Sequence, residues 1–323
     1  HLAPDQPSAM SEILELSTKM PVHQVQDTPE LKANCVYVIA PDRELVIEGD
    51  AVHARPFTEP RGQRAPIDML FRSIAAGRGD GLAVILTGAG SDGAQGIAAI
   101  KEAAGVIFVQ DPAEAEFPSM PHSAIATGLA DFVAPVAGLA ERIIEVARSK
   151  EAVRSLDQDG AANDLRKVVK FLHVRTGHDF SSYKRATVMR RVLRRMQVRR
   201  LVSLDAYLKF LQENPEEASE LFRDMLITVT QFFRDQTAFT TLAGMAIGPL
   251  FDQLGEEGIR CWVPGCATGE EAFTLAILFA EEAERRKVSV PIQIFATDLD
   301  EGALSTGRDG VYPRAIEADV SEE

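Results

Sequence analysis

The sequence predicts an α/β protein interrupted by an all-α segment, and three observations carry that expectation. A β-type run, LAVILT, is followed by a Gly-rich turn, a helix from about Ala94 to Ala104 and a second strand, VIFVQ. That order is the sequence form of a parallel α/β sheet. From Leu165 to Phe239 the apolar spacing is nearly all helical. Strand, turn, helix and strand then return in IRCWV, EEAFTLAILFAEEAERRK and IQIFATD.

The elements follow in chain order. Between Cys35 and Arg55 the runs CVYVIA, ELVIE and AVHAR are joined by Pro41-Asp42-Arg43 and Gly49-Asp50, which predicts a β-meander. After Pro66, IDMLFRSIAA has helical spacing. A short helix near His122 to Thr127 and the strand DFVAP close the first region, 1–146. The stretch SKEAVRSLDQDGAAND, Ser149 to Asp164, is polar and lacks apolar periodicity, so 147–164 is expected to be a linker. The helical region is 165–240, with breaks at Thr176-Gly177 and Asn214-Pro215, and the second α/β region is 241–323. There is no internal repeat.

Composition narrows the function classes. The chain has 323 residues, 34 Lys+Arg and 48 Asp+Glu, a net charge of −14, and 46% hydrophobic residues. Two domains, each with its own core, fit that length. No apolar run approaches the roughly 18 to 20 residues of a membrane span, and the start HLAPD lacks the basic and apolar regions of an export signal. Cys35, Cys261 and Cys266 are too few and too irregular for a disulfide framework or a zinc site, so a cytoplasmic location is expected and no metal. An acidic average argues against nucleic acid as partner. It conceals one segment, Arg166 to Arg200, with twelve Lys/Arg against Asp179 alone. The first residue is His1 rather than Met, so the sequence is expected to be processed or partial.

The turn Gly88-Ala89-Gly90-Ser91-Asp92-Gly93 lies between a strand and a helix and fits G-x-G-x-x-G, with Asp111 near the end of the next strand. A dinucleotide fingerprint has that form, which makes an NAD-dependent oxidoreductase one reading. A tight turn with Ser91 or Asp92 capping the helix is the other. The wider context, TGAGSDGAQG with EFPSMPHSAIATGLAD after it, RPFTEPRGQRAPIDMLFRSIA before it and the opening HLAPDQPSAMSEIL, resembles the catalytic domain of CheB-type protein-glutamate methylesterases of bacterial chemotaxis. These are Ser-His-Asp hydrolases of glutamyl methyl esters on chemoreceptors, and some deamidate receptor glutamines. The resemblance implies Asp92 as the triad acid and His1 as the general base. A serine hydroxyl becomes nucleophilic when a neutral imidazole takes its proton, and a carboxylate on the other ring nitrogen stabilises the imidazolium. The family places its serine in a Gly-x-Ser-x-Gly turn upstream of that histidine, so these residues alone are expected to lack esterase activity.

From Lys184 the sequence KRATVMRRVLRRMQVRR reads as an amphipathic helix, with Met189, Val192, Leu193 and Met196 opposite Arg190, Arg191, Arg194 and Arg195. Arginines at i,i+4 repel unless acids offset them. A solvated face and a surface for an acidic partner are both open readings.

In the second α/β region Pro264-Gly265-Cys266-Ala267-Thr268-Gly269-Glu270-Glu271 joins a strand to a helix, and the next strand ends at Asp298, an acid suited to ribose hydroxyls. Acids at the turn disfavour a phosphate chain and suit a cationic ligand such as a sulfonium. TGHDFSSYKRATVMRRVLRRM, ITVTQFFRD, PGCATGEEAFTLAI and FATDLDEGAL together resemble the CheR-type receptor methyltransferases over Leu165 to about Arg314. That resemblance implies S-adenosylmethionine as cofactor. It assigns Thr228, Thr230 and Arg234 to cofactor contacts, with Arg234 at the carboxylate, Glu270 and Asp298 to the adenosine, and the turn glycines Gly265 and Gly269 to the cradle. It also gives Arg190, Arg191, Arg194 and Arg195 a partner, the acidic methylation helices of chemoreceptors. Together the two resemblances imply an α/β chain with a parallel doubly wound methylesterase domain, an all-α subdomain and the start of a Rossmann-like S-adenosylmethionine methyltransferase domain. A non-catalytic receptor-binding scaffold is the remaining alternative.

Overall fold

The computed structural model describes residues 8–57, 64–78, 81–154, 158–226, 229–253, 258–312, 316 and 319–320. They pack as two units, His1–Met225 and Leu226–Glu323.

The first unit opens with α1 (Met10–Ser17) and two short parallel strands, β1 (Val22–Val25) and β2 (Val36–Ile39). A hairpin of β3 (Arg43–Glu48) and β4 (Ala51–Pro56) follows. The expected β-meander is therefore corrected: ELVIE and AVHAR pair as predicted, but the strand in CVYVIA pairs with β1 in a separate sheet. A meander needs consecutive strands to share a ladder. The intervening turn, with Asp42 at φ +55°, instead carries the chain out of one sheet and into another.

The strand-helix-strand prediction holds. α2 (Pro66–Arg78), β5 (Leu82–Ile85), α3 (Gly96–Glu102), β6 (Val106–Gln110), α4 (Ser119–Ala126) and β7 (Phe132–Ala134) build a parallel sheet in the order β5-β6-β7. β6 is central and wholly buried. Its alternation sends Ile107 and Val109 to one face, against Ile85, Ile97 and Phe71, and Val106 and Phe108 to the other, against Leu139 and Val146. Each such side chain contributes roughly 1.5–3 kcal/mol by leaving water.

The linker expected at 147–164 is largely helix. α5 (Val136–Arg154) runs into it and α6 (Gln158–Thr176) begins inside it. Lys, Glu, Ala and Arg propagate a helix that the apolar part of α5 has nucleated, so loss of apolar periodicity does not end it. Gly177 at φ +78° ends α6, as the sequence suggested. α7 (Arg185–Arg199), α8 (Leu204–Glu213), whose N-terminal N–H on Ala206 is accepted by Ser203 Oγ, and α9 (Pro215–Leu226) complete the helical part. This part packs within the first unit: Val198 of α7 joins the cluster of Phe108 and Leu139.

The second unit contains α10 (Gln236–Leu242), a π-helical turn at Ala243–Ile247, α11 (Gly248–Asp252), β8 (Ile259–Pro264), α12 (Glu270–Arg286), β9 (Ile292–Thr297) and α13 (Glu301–Asp309). β8 and β9 are parallel, with Ile259 opposite Ile292. Phe251, Val263, Leu275 and Phe279 form the core between sheet and helices. No helix among the described residues is long and apolar enough to cross a membrane.

Candidate functional site

The Gly-rich turn of the first unit brings two carboxylates together at the ends of two helices. Asp92 Oδ2 accepts the N–H of Ile67 and Oδ1 that of Asp68, each at 3.0 Å, which seats its carboxylate on the N-terminus of α2. Asp68 answers in kind, its Oδ1 accepting the N–H of Gly96 at 2.6 Å in the first turn of α3. The clasp needs α2 and α3 in close approach. A Cβ on Gly96 would lie 2.8 Å from the Asp68 Cα. Burial raises both carboxyls, that of Asp68 to about 6. Asp68 was not singled out from sequence; an acid in the first turn of an apolar helical run is the signal it left. His1 lies outside the described residues, so the pairing of Asp92 with a histidine is not part of this geometry.

The same turn does not suit a dinucleotide. Its amides are already engaged, Gly88 N–H with the Phe117 carbonyl at 2.9 Å and Gly90 N–H with Ser119 Oγ at 3.1 Å. A Cβ at Gly88 would lie 2.3 Å from Met120 Sδ, so the turn is packed against the chain rather than open to a pyrophosphate. Asp111 accepts from Ala113 N–H in its own local turn, at 2.9 Å.

The four arginines assigned to an acidic partner need correction. Arg190 is exposed, but Arg191, Arg194 and Arg195 are buried, on the same helix as buried Val188, Val192 and Met196. Their charge is met inside the unit. Arg195 makes a two-pronged pair with Glu217 at 2.8 and 2.7 Å, and Glu217 also accepts from Arg199 at 2.6 Å and from Tyr207 at 3.0 Å. Arg194 donates to Asp131 at 2.5 Å, to Asp224, and through Nε to the Gly105 carbonyl at 2.9 Å. Arg191 donates to the carbonyls of Lys101 and Glu102, each at 2.6 Å. Lys101 Nζ donates to Asp131 at 3.0 Å. Burial alone would raise the Asp131 carboxyl, yet Arg194 and Lys101 together hold it below the usual carboxylate range. Burial likewise lowers Arg191, to about 10. A helix with arginines at i,i+4 is stable here because carboxylates from other elements neutralise it.

In the second unit the loop between β8 and α12 is shaped by an acid. Ala267 stands at φ +48°, in the left-handed region unfavourable to a residue with a Cβ, and its N–H donates to Asp298 Oδ2 at 2.8 Å. Asp298 Oδ1 accepts from Asp300 N–H at 2.9 Å, so each carboxylate oxygen retains accepting capacity. Gly265, at φ +70°, has no atom within 4 Å of a Cβ built on it, leaving open space beside the loop. Gly269, by contrast, is closely packed: a Cβ built on it would lie 3.2 Å from Gly307 Cα, so its lack of a side chain lets α13 approach. Glu270 accepts from Thr268 Oγ1 at 2.6 Å in the first turn of α12. The segment before α10 reaches the same helix, since Phe233 N–H donates to Thr274 Oγ1 at 3.2 Å. Arg234 there is exposed, donates to the Val229 carbonyl at 2.8 Å, and lines a cleft of about 800 Å³ with Glu271, Asp235 and Phe239. Thr230 is half-buried and Thr228 lies outside the described residues. Tyr312, not anticipated from sequence, donates to the Thr268 carbonyl at 2.6 Å and meets the rings of Phe232 and Phe273 edge-on. Its only sequence signal is one aromatic in a polar stretch.

The open space at Gly265, the acid at the strand end and the acidic first turn fit a nucleoside carrying a cationic sulfonium. Among the described residues there is no group of side chains arranged to hold a metal ion.

Comparison with known proteins gives three family matches along the chain. Residues 1–143 match the CheB methylesterase family, residues 163–226 the all-alpha domain of CheR methyltransferase, and residues 228–323 the SAM binding domain of CheR methyltransferase. An uncharacterized 104.1 kDa protein of Rhodobacter capsulatus is 38% identical over 96% of this chain, which spans 35% of that protein. A putative protein-glutamate methylesterase/protein-glutamine glutaminase of Leptospira interrogans is 39% identical over 42% of this chain and 70% of its own length. Chemotaxis protein methyltransferase 2 of Pseudomonas aeruginosa is 34% identical over 46% of this chain and 52% of its own length.

Proposed function

The chain belongs to the CheB methylesterase family through its first domain and to the CheR methyltransferase family through its other two, and on that premise we propose that it acts on chemoreceptor glutamates in both directions. The first domain supports hydrolysis of glutamyl methyl esters. Asp92 is held at the N-terminus of α2, and His1, as general base, would complete the acid-base pair for a serine nucleophile. Deamidation of receptor glutamines belongs to the same chemistry, an acyl transfer to water, and the name of the Leptospira relative carries it.

S-adenosylmethionine is the cofactor of the last domain. It supplies an electrophilic methyl on a sulfonium, so the protein's part is to bind and orient. Asp298 and Glu270 would accept hydrogen bonds from the nucleoside, the open side of Gly265 would admit it, and Arg234 and Thr230 would hold its amino-acid end. On the receptor side Arg190 remains, with the exposed Lys184 and Arg185 at the start of α7, facing acidic helices.

The observation that carries this reading is Asp298, which shapes the loop and keeps accepting capacity beside open space. Calorimetric titration tests it. S-adenosylmethionine is expected to bind saturably while NAD does not, and Asp298→Asn to weaken binding about tenfold or more, as loss of a charge-assisted hydrogen bond implies. Binding of NAD in preference, or an Asp298→Asn variant that binds normally, would overturn it.

A further inference from the structure

Helix α7 is bound on one side by groups from the methylesterase domain. The carbonyls of Lys101, Glu102 and Gly105 at the C-terminal end of α3, together with the Asp131 carboxylate just before β7, all accept from Arg191 or Arg194. A helix C-terminus carries partial negative charge on its unpaired carbonyls. The end of α3 and Asp131 therefore offer α7 a row of hydrogen-bond acceptors, four oxygens of which one is a carboxylate shared with Lys101. The contact is built, since the Arg194 and Asp131 side chains are 0% and 3% exposed and Val198, one turn further on, enters the core of the parallel sheet. Asp224 of α9 completes the neutralisation from the helical side.

The geometry points to an internal docking surface: the α3 terminus and Asp131 occupy the arginine face of α7 as an acidic helix would, so an acidic helical partner gains Arg191 and Arg194 only by displacing the methylesterase domain. This rests on α7 being a receptor-facing helix. The complementarity is specific, because the carbonyls accept from Arg191 and Arg194 while Arg195 and Arg199 turn to Glu217 within the helical part. Arg190, exposed, together with Lys184 and Arg185, gives the partner a first foothold. The partner that matches the exposed Arg190 and, one turn on, Arg194 is an amphipathic helix with glutamates at i,i+4 spacing, and it competes with Asp131 for the Arg194 guanidinium.

The test uses the whole chain, a synthetic amphipathic helical peptide carrying glutamates at i,i+4 and its glutamine counterpart. Asp131→Asn keeps the volume and removes the one charge from the methylesterase domain that holds Arg194, leaving Asp224 of the helical part in place. Apparent affinity falls with the fraction of molecules in the closed state, so opening the contact is expected to raise affinity for the glutamate peptide about tenfold or more, with no gain for the glutamine peptide. Hydrogen exchange is expected to rise in 185–199 and in 96–105 together. Equal affinities with unchanged exchange in both segments overturn the docking surface and leave the receptor-facing helix untouched. Faster exchange with no peptide bound by either protein removes α7 as a partner-binding helix, and the competition falls with it. Should Asp131→Asn fail to fold, the same exchange measurement on the unaltered chain at saturating peptide decides: loss of protection in both segments supports displacement, and full protection with peptide bound overturns it.

Discussion

Replacing Arg194 by Met should strongly destabilise the first unit. Asp131 and Asp224 have side chains 3% and 6% exposed, and Arg194 is their shared partner. Truncating one member of a buried ion pair typically costs about 3–5 kcal/mol, because the remaining charge stays buried. The Gly105 carbonyl loses its donor as well, about 1 kcal/mol more. Lys101 still faces Asp131, which sets the expectation at the lower end, about 3–4 kcal/mol. Hydrogen exchange resolved to 185–199 reads this directly, as a loss of protection of roughly two orders of magnitude or more at neutral pH. The pH dependence gives a second handle. In the unaltered protein the depressed Asp131 carboxyl contributes stability at neutral pH that is lost as pH falls through its folded pKa. In Arg194→Met burial works against the Asp131 charge with Lys101 alone to offset it, so the deficit should shrink as pH is lowered from 7 towards 5. Neutralising both acids together with Lys101, in Arg194→Met/Asp131→Asn/Asp224→Asn/Lys101→Met, should recover most of the loss. A deficit below about 1 kcal/mol, or a quadruple variant no better than the single one, would refute the reasoning.

Asp68, raised to about 6 by burial, should weaken the first unit as pH rises from about 4 to 6, because the folded state then holds a proton that the unfolded chain releases. A shift of this size corresponds to about 3 kcal/mol at most, and Asp68→Asn should remove the Asp68 share of the slope and leave that of Asp92, so that the variant gains on the unaltered protein between pH 4.5 and 7.5 in urea titrations; a pH-independent difference contradicts it. Gly96→Ala should destabilise by about 1–3 kcal/mol despite alanine's better helix propensity, since its Cβ meets the Asp68 Cα and carbonyl oxygen at 2.8 and 2.9 Å and backbone must move; an unchanged melting temperature would show α2 and α3 to be further apart.

What the sequence made legible was local. The α/β alternation of LAVILT and VIFVQ, the helix stop at Gly177 and the acid at Asp298 all rest on spacing within a few residues, and each stands where the spacing placed it. The arginine row on α7 was equally visible, and its need for offsetting acids followed from the i,i+4 repulsion alone. Which acids, and that burial came with them, did not. Asp131, Asp224 and Glu217 lie 63, 30 and 22 positions from the arginines they pair with, and no local pattern encodes such contacts. Strand partnership failed for a related reason. The run VHQV of β1 is too short and too polar to announce itself, so local pattern alone places β2 with the nearest hairpin. Asp68 and Tyr312 escaped because their significance lies in what packs against them, not in their neighbours in sequence.

The guanidinium of Arg194 also constrains how such a chain can be assembled from parts. Esterase and transferase modules joined by a pliant tether could be exchanged freely between genes, each carrying its own core. Here the arginine resides in one module and Asp131 in the other, buried on both sides. A recombinant that brought either half alone would lose the pair that spans them, leaving Arg194 with Asp224 only and Asp131 with Lys101 only. The two halves are expected to have diverged as a matched pair, with position 194 and position 131 changing together or not at all.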